Sequence, residues 1–432
     1  MRRLTLREYD YLTVDTFNKK VLRGKRLAVC IPQSVFDYLE RLLEKEECRS
    51  DADDYTFFLS REGQSLFQVQ SYVGVLQTPC GTQIEILPKI SDVTEHGDEQ
   101  SRIILLQMLR YLKKAKFKLG GDASLRKAPM HLLELFIAYF LQEVNQLVKR
   151  GIRSDYVTRE ENQAFLKGKL LVNQQIRVNS VQQQRFYVAH DEYVPNRAEN
   201  RLLHTALVKV SKISQSPNNQ RLSRELMLVF SDVPVSNNIR QDFAKCKDNR
   251  AMCHYQHALE WCHLILQEES TVPSAGVIKT ISILFPMEKI FEDYVAAMLR
   301  KLLLPKGYQV TTQATGKYLC VHAEATKKIF ALRPDILITH KEKGCWVADT
   351  KWKLIHNEHR NYGISQSDMY QLYAYGKKYE NCQGLFLIYP KTSKFDKDKT
   401  FSFDENLGLI CTPFDCLGNS HEDQFEHAIS LS

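Results

Sequence analysis

The sequence predicts a multi-domain α/β protein: a β-rich domain over residues 1–92, a mainly helical middle region over 93–270 and an α/β domain over 271–432. Length is the first observation behind this division, because 432 residues exceed what a single hydrophobic core ordinarily organises. The second is a change of period: short alternating apolar runs fill the first 92 residues, and spacings of three and four then dominate 102–114 and 130–149. The third lies near the C-terminus. Two short apolar runs, 336–338 and 345–348, flank the polar, glycine-ended stretch 341–344, which is how a β-hairpin is written.

Along the chain, 35–48 carries apolar residues at helical spacing, whereas 56–59 and 67–75 read as strands and 83–87 alternates until Pro88 stops it. The polar segment 94–100 reads as a linker, and 155–161 with 166–170 forms an extended interlude among helices. Basic residues recur around that interlude: Lys149, Arg150, Arg153, Lys167, Lys169, Arg177 and Arg185 form either a phosphate-contacting face or a solvated one. In D-E-Y-V-P-N-R-A-E-N-R, Asn196 is placed to cap a helix, and Arg197, Glu199 and Arg201 to form a polar network. A hinge is expected over 271–280, then a helix with Phe291, Val295, Met298 and Leu299 on its apolar face and Glu288 and Glu292 one turn apart at its edge. Strands follow at 385–389 and 409–412.

Composition narrows the classes. With 44% hydrophobic and 25% charged residues the chain is globular, and no apolar run reaches the length of a membrane span. The start M-R-R-L-T-L-R-E-Y-D lacks the apolar core of a signal peptide, and eleven cysteines show no paired framework, so a cytoplasmic protein with reduced thiols and no membrane contact is expected. A net charge of +8 permits a polyanionic partner without requiring one. No phosphate-binding Walker A segment is present, so the chain brings no nucleotide motor of its own. The cysteines and histidines at 246–263 lack the two C-x-x-C knuckles of a structural zinc site and sit in an ordinary apolar helix pattern.

The hairpin concentrates the chemistry. Asp335 opens its first strand, and on the second strand Asp349 and Lys351 stand two apart, so alternation sends both to one face and Thr350 to the other. Carboxylates are hard ligands for Mg²⁺, which prefers one or two of them plus phosphate oxygens, and a lysine beside such an ion can orient water or steady a phosphorane. Pro334-Asp335 followed by Asp349-Thr350-Lys351 resembles the PD-(D/E)xK nuclease signature. That resemblance implies metal binding by Asp335, Asp349 and the Thr350 carbonyl, with Lys351 serving water and transition state. The following Q-L-Y-A-Y segment places Gln371 and Tyr375 four apart, similar to the Q-x-x-x-Y helix of RecB-like members, implying that Gln371 orients Lys351 or the DNA backbone and that Tyr375, with the basic neighbours Arg333 and Lys353, touches DNA.

A wider likeness joins these segments. Y-V-G-V-L-Q-T-P-C-G-T-Q-I-E-I-L-P-K-I from Tyr72, D-E-Y-V-P-N-R-A-E-N-R-L-L from Asp191, and R-P-D-I-L-I with A-D-T-K-W-K resemble, in this order, the McrC family of nuclease subunits from modification-dependent restriction systems. The resemblance implies a restriction-endonuclease-like C-terminal domain with a mixed central sheet, a first-helix acid completing the metal shell (Glu292, with Glu288 behind it), double-stranded DNA as substrate, and an McrB-like AAA+ GTPase hexamer as partner through the N-terminal domain. GTP then belongs to that partner only. Two other readings fit the same residues: a stand-alone RecB-like nuclease, and a non-catalytic DNA-binding subunit of a motor.

Overall fold

The computed structural model describes residues 2–14, 28–47, 58–63, 65–90, 97–112, 131–246, 252–266, 280–322, 328–405 and 407–417. They form two compact units, one made of 1–76, 82–129 and 284–432, the other of 77–81 and 130–283. The three segments read from the sequence are consecutive; by proximity, the N-terminal strands and the C-terminal α/β domain share one unit. The hinge expected at 271–280 lies almost wholly outside the described residues, as do the first two residues of the strand expected at 56–59.

The first unit opens with β1 (Arg3–Arg7), β2 (Tyr11–Thr13), β3 (Ala28–Cys30), α1 (Gln33–Glu47), β4 (Leu59–Gly63), β5 (Leu66–Val69), β6 (Tyr72–Gln77) and β7 (Gln83–Leu87). The strand read over 67–75 is therefore two strands, broken where Tyr72 N–H bonds the Gln70 carbonyl in a tight turn. One sheet runs β3-β2-β5-β4 and is covered by α1, whose Val35, Phe36, Leu39 and Leu43 form the apolar stripe read from the sequence. Phe36 stacks on Phe67 with ring centroids 4.4 Å apart. In the neighbouring sheet β1 pairs in parallel with β7, Arg3 opposite Gln83 through Arg7 opposite Leu87. Helix α2 (Gly97–Leu109) begins inside the segment expected to be a linker, its first turn carrying Asp98 and Glu99 at the positive end of the helix dipole.

The second unit contains α3 (Leu132–Lys149), β8 (Asp155–Gln163), β9 (Lys169–Leu170), α4 (Val172–Asn179), β10 (Phe186–Val194), α5 (Ala198–Ile213), α6 (Pro217–Val229), α7 (Ile239–Lys245) and α8 (Gln256–Leu266). Phe136, Phe140, Leu203, Leu207 and Trp261 are buried in its helical core. Glu134, also buried, accepts from Ser214 Oγ at 2.7 Å and Asn219 Nδ2 at 2.9 Å, which satisfies its charge inside. The polar network at the start of α5 is present: Arg197 meets Asp155 and Glu199, and Arg201 meets Asp242. Asn196 does not cap the helix. Arg197 holds the cap position, so Asn196 stands one residue too early, and its Oδ1 instead accepts from Arg201 Nη1 at 2.9 Å. The seven basic residues around the interlude are all exposed.

The chain returns to the first unit through β11 (Ile281–Pro286), α9 (Met287–Leu303), β12 (Gln309–Thr312), β13 (Lys317–Val321), β14 (Lys328–Leu332), β15 (Ile336–His340), β16 (Gly344–Thr350), α10 (Gln366–Lys378), β17 (Cys382–Pro390), β18 (Lys399–Asp404) and β19 (Leu407–Phe414). Strand β11 completes the order β1-β7-β6-β11. The six-stranded sheet β12-β15-β16-β17-β19-β18 is mixed: β16, β17 and β19 run in parallel, and the hairpin partner β15 and the edge β18 run antiparallel to them. Strand β17 is buried from Gly384 through Pro390, the continuous apolar run of a strand covered on both faces. Leu372 and Tyr375 of α10, with Tyr379 just past its end, join Val347, Leu385, Leu387 and Leu409 in one core cluster. Phe291 and Tyr294 of α9 meet Phe414 of β19 edge to face. The end of β16 therefore comes out of the sheet between these two helices.

Candidate hydrolytic site at the end of the central strand

Asp349 is the penultimate residue of β16 and only 2% exposed; Lys351 follows the strand end. Alternation brings their charges together, with Lys351 Nζ 2.7 Å from Asp349 Oδ2. The ammonium is thus the close charged partner of this buried carboxylate. Burial, with Asp335 beside it, pushes the Asp349 carboxyl up to about 7 against the pull of Lys351. Burial would lower the Lys351 ammonium, but Asp349, Asp335 and Asp368 outweigh it and the net shift is upward. The lysine stays a cation.

Asp335 sits one residue before β15 and is clasped by the facing strand. Its Oδ2 accepts from Thr350 N at 2.9 Å and Thr350 Oγ1 at 2.8 Å. The expectation that Thr350 points away from the acids is corrected here: Asp335 lies off the strand, so its side chain reaches around to the Thr350 hydroxyl. Burial and the nearby Glu292 carboxylate raise the Asp335 carboxyl, while both Thr350 donors lower it.

Of the two first-helix acids, Glu292 faces the site and is 7% exposed, whereas Glu288 is exposed. Both Glu292 oxygens are engaged: Oε1 accepts from Gln313 Nε2 at 2.9 Å and Oε2 from Lys289 Nζ at 2.8 Å. Gln313 also reaches Asp335 Oδ1 at 3.3 Å, so one amide spans the two acids. Sequence reading missed Gln313, which follows β12 in the left-handed backbone region at φ 51° and belongs to no motif. Lys289 was legible in principle, standing three before Glu292 on the helix.

Gln371 points its Oε1 at Lys351 Nζ, 3.4 Å away. The amide's orientation follows from its other end: Nε2 donates to Tyr375 Oη at 2.8 Å, and Tyr375 Oη donates to the Arg333 carbonyl at 3.2 Å. Tyr375, expected to touch DNA, is 3% exposed, and its hydroxyl is engaged on both sides of this relay. Arg333 and Lys353 are exposed beside the site. Asp368 comes within 4.0 Å of Lys351, held in the first turn of α10 by the Ser365 cap, an S-x-x-D signal present in the sequence.

Among the described residues no three His, Cys, Asp or Glu side chains form a ready-made metal cage, at 246–263 or elsewhere. The donors that converge here suit a hard cation that retains its waters and takes one or two carboxylates. Asp335, Asp349 and the Thr350 carbonyl would hold it, with Glu292 available once its lysine and glutamine contacts open.

Fold and residues together define a multi-domain α/β protein whose mixed sheet carries an acid–lysine cluster at the end of β16. The chain belongs to the family of McrBC 5-methylcytosine restriction system components, whose model matches residues 67–390. A chain of the half-complex from a tetradecameric assembly of Thermococcus gammatolerans McrB AAA+ hexamers with bound McrC is similar in fold at 18% identity and a TM-score of 0.71, covering 99% of each chain. A chain of the Thermococcus gammatolerans McrBC complex matches at 21% identity and a TM-score of 0.51, over 70% of this chain and 88% of the other. Among curated proteins, none matches. No helix of the described residues is long and apolar enough to cross a membrane.

Proposed function

We propose that this protein is the Mg²⁺-dependent DNA endonuclease subunit of a GTP-driven, modification-dependent restriction complex. In that complex it joins an McrB-like AAA+ GTPase hexamer through its N-terminal β-rich part and stimulates the GTPase. The observation that carries the reading is the Lys351 ammonium 2.7 Å from buried Asp349, with Asp335 clasped alongside by Thr350. Family membership and the assembly named for the fold neighbours support the partner.

The chain's own residues then divide the work. Asp335 and Asp349 would turn carboxylate oxygens to a cation where it meets a phosphodiester. Lys351, kept protonated by its carboxylate neighbours, donates to the attacking water or to a phosphate oxygen as charge grows on it. Gln371 fixes the ammonium's direction, and Tyr375 fixes Gln371. Bound Mg²⁺ supplies Lewis acidity and neutralises charge developing on the phosphate.

The test is cleavage of methylated and unmethylated duplexes by the purified chain, with and without its GTPase partner, GTP and Mg²⁺. Asp349→Ala is expected to abolish cutting while leaving partner binding and GTPase stimulation intact. Undiminished cutting by that variant sinks the site assignment. If the wild-type chain never cuts, the reading that remains is a DNA-gripping subunit without chemistry.

A further inference from the structure

Glu8, just past the end of β1, is 3% exposed and takes no part in the chemistry above. Its carboxylate accepts from Trp352 Nε1 at 3.1 and 2.8 Å, from Lys89 N at 3.1 Å and from Ser71 Oγ at 3.2 Å. A buried carboxylate is a poor way to gain stability, because desolvation offsets most of what its partners return and an apolar residue of similar size is often as stable. What it does achieve is direction. Trp352, 4% exposed, is the residue after Lys351, and Lys353 N closes a tight turn around it onto the Lys351 carbonyl at 2.9 Å. On its other side Lys351 N bonds the Ile388 carbonyl of β17 at 2.9 Å. The lysine is thus held between a sheet anchor and the Glu8–Trp352 anchor. The same indole lies against Phe291, ring centroids 5.2 Å apart, and Phe291 precedes Glu292 on α9.

We propose that Glu8 is a positioning residue for the hydrolytic site: by fixing the Trp352 indole from the N-terminal sheet, it sets where Lys351 and Glu292 stand. This rests on the hydrolytic reading of that site and adds to it a route by which the N-terminal β-rich part governs the nuclease part. Glu8 itself touches no reacting atom.

Three variants in the full chain test it: Glu8→Leu removes the acceptor at similar bulk, Glu8→Gln keeps an amide oxygen for the indole, and Trp352→Phe removes the donor but keeps a ring. Glu8→Leu and Trp352→Phe are each expected to lower kcat about tenfold at unchanged KM for DNA, with the double variant no worse than either single, and Glu8→Gln to stay within about threefold of wild type. A purely structural contact instead lowers Tm and leaves the rate per folded molecule as it was. Additive losses, or a folded Trp352→Phe protein cutting at the wild-type rate, overturn the proposal. Amide hydrogen exchange over Lys351 to Lys353 supplies a readout that needs no cleavage, and faster exchange is expected in Trp352→Phe. If the wild-type chain does not cut but exchange responds, the hydrolytic reading fails and the positioning link stands. Unchanged exchange overturns the link itself, and should Glu8→Leu not fold, Trp352→Phe and Glu8→Gln still decide.

Discussion

Each charged residue at the central strand's end is set by what surrounds it, and the same physics extends to Glu8. Burial pushes its carboxyl up to about 7 from 4.5, opposed by the Lys89 charge and by hydrogen bonds from Trp352, Lys89 and Ser71. The folded protein thus holds this proton through a window where the unfolded chain has released it, so its contribution is full below about 4.5 and lost as pH rises through about 7. Glu8→Gln has no such proton. The wild type should therefore lose stability relative to Glu8→Gln between pH 4.5 and 8, by roughly 3 kcal/mol, in paired urea melts. A pH-independent difference would contradict the burial argument. At this scale Asp349 and Lys351 were legible from strand alternation, and Asp335 and Gln371 from their likeness to the PD-(D/E)xK and Q-x-x-x-Y patterns; the structure brings the four near one another. Gln313 and Glu8 were not, since each reaches the site by a contact that no local period encodes.

Elements follow the sequence where punctuation is chemical. The hairpin of β15 and β16 turns at Gly344, which has φ 96° and where an added Cβ would stand 2.5 Å from the Asn381 carbonyl. Glycine is required twice over, by backbone conformation and by space. Gly344→Ala should destabilise the protein by about 1–3 kcal/mol and lower Tm, with the rate per folded molecule intact. A variant as stable as wild type would show that the turn relaxes freely. The split at Gln70 and Ser71 was hidden for the opposite reason: no glycine or proline marks it, and alternation continues across the break. Parallel pairing of β1 with β7 was equally hidden, being a long-range match between strands that look alike locally.

At the scale of the whole molecule, charge is the property most exposed to test. A net charge of +8 spread over 432 residues is mild, so binding to DNA should depend on where cations gather. Arg333 and Lys353, both exposed beside the site, are predicted phosphate contacts: changing both to alanine should weaken duplex binding across sequences and flatten the plot of log K against log salt by about two units of slope. An unchanged slope would place the DNA elsewhere. Fold class was readable because each region declares its own period, whereas the compact unit shared by the chain's beginning and its end could not be read from any one segment.

The hydrogen bond from Trp352 to Glu8 joins positions 344 apart in sequence. During synthesis the nascent N-terminal strands, with the Ser71 and Lys89 donors to Glu8, emerge long before their indole partner exists. Contact with the indole can form only once the chain has been made past Trp352. A chain made past Trp352 but not yet to Ile388 would therefore have the indole restraint on Lys351 without the sheet anchor.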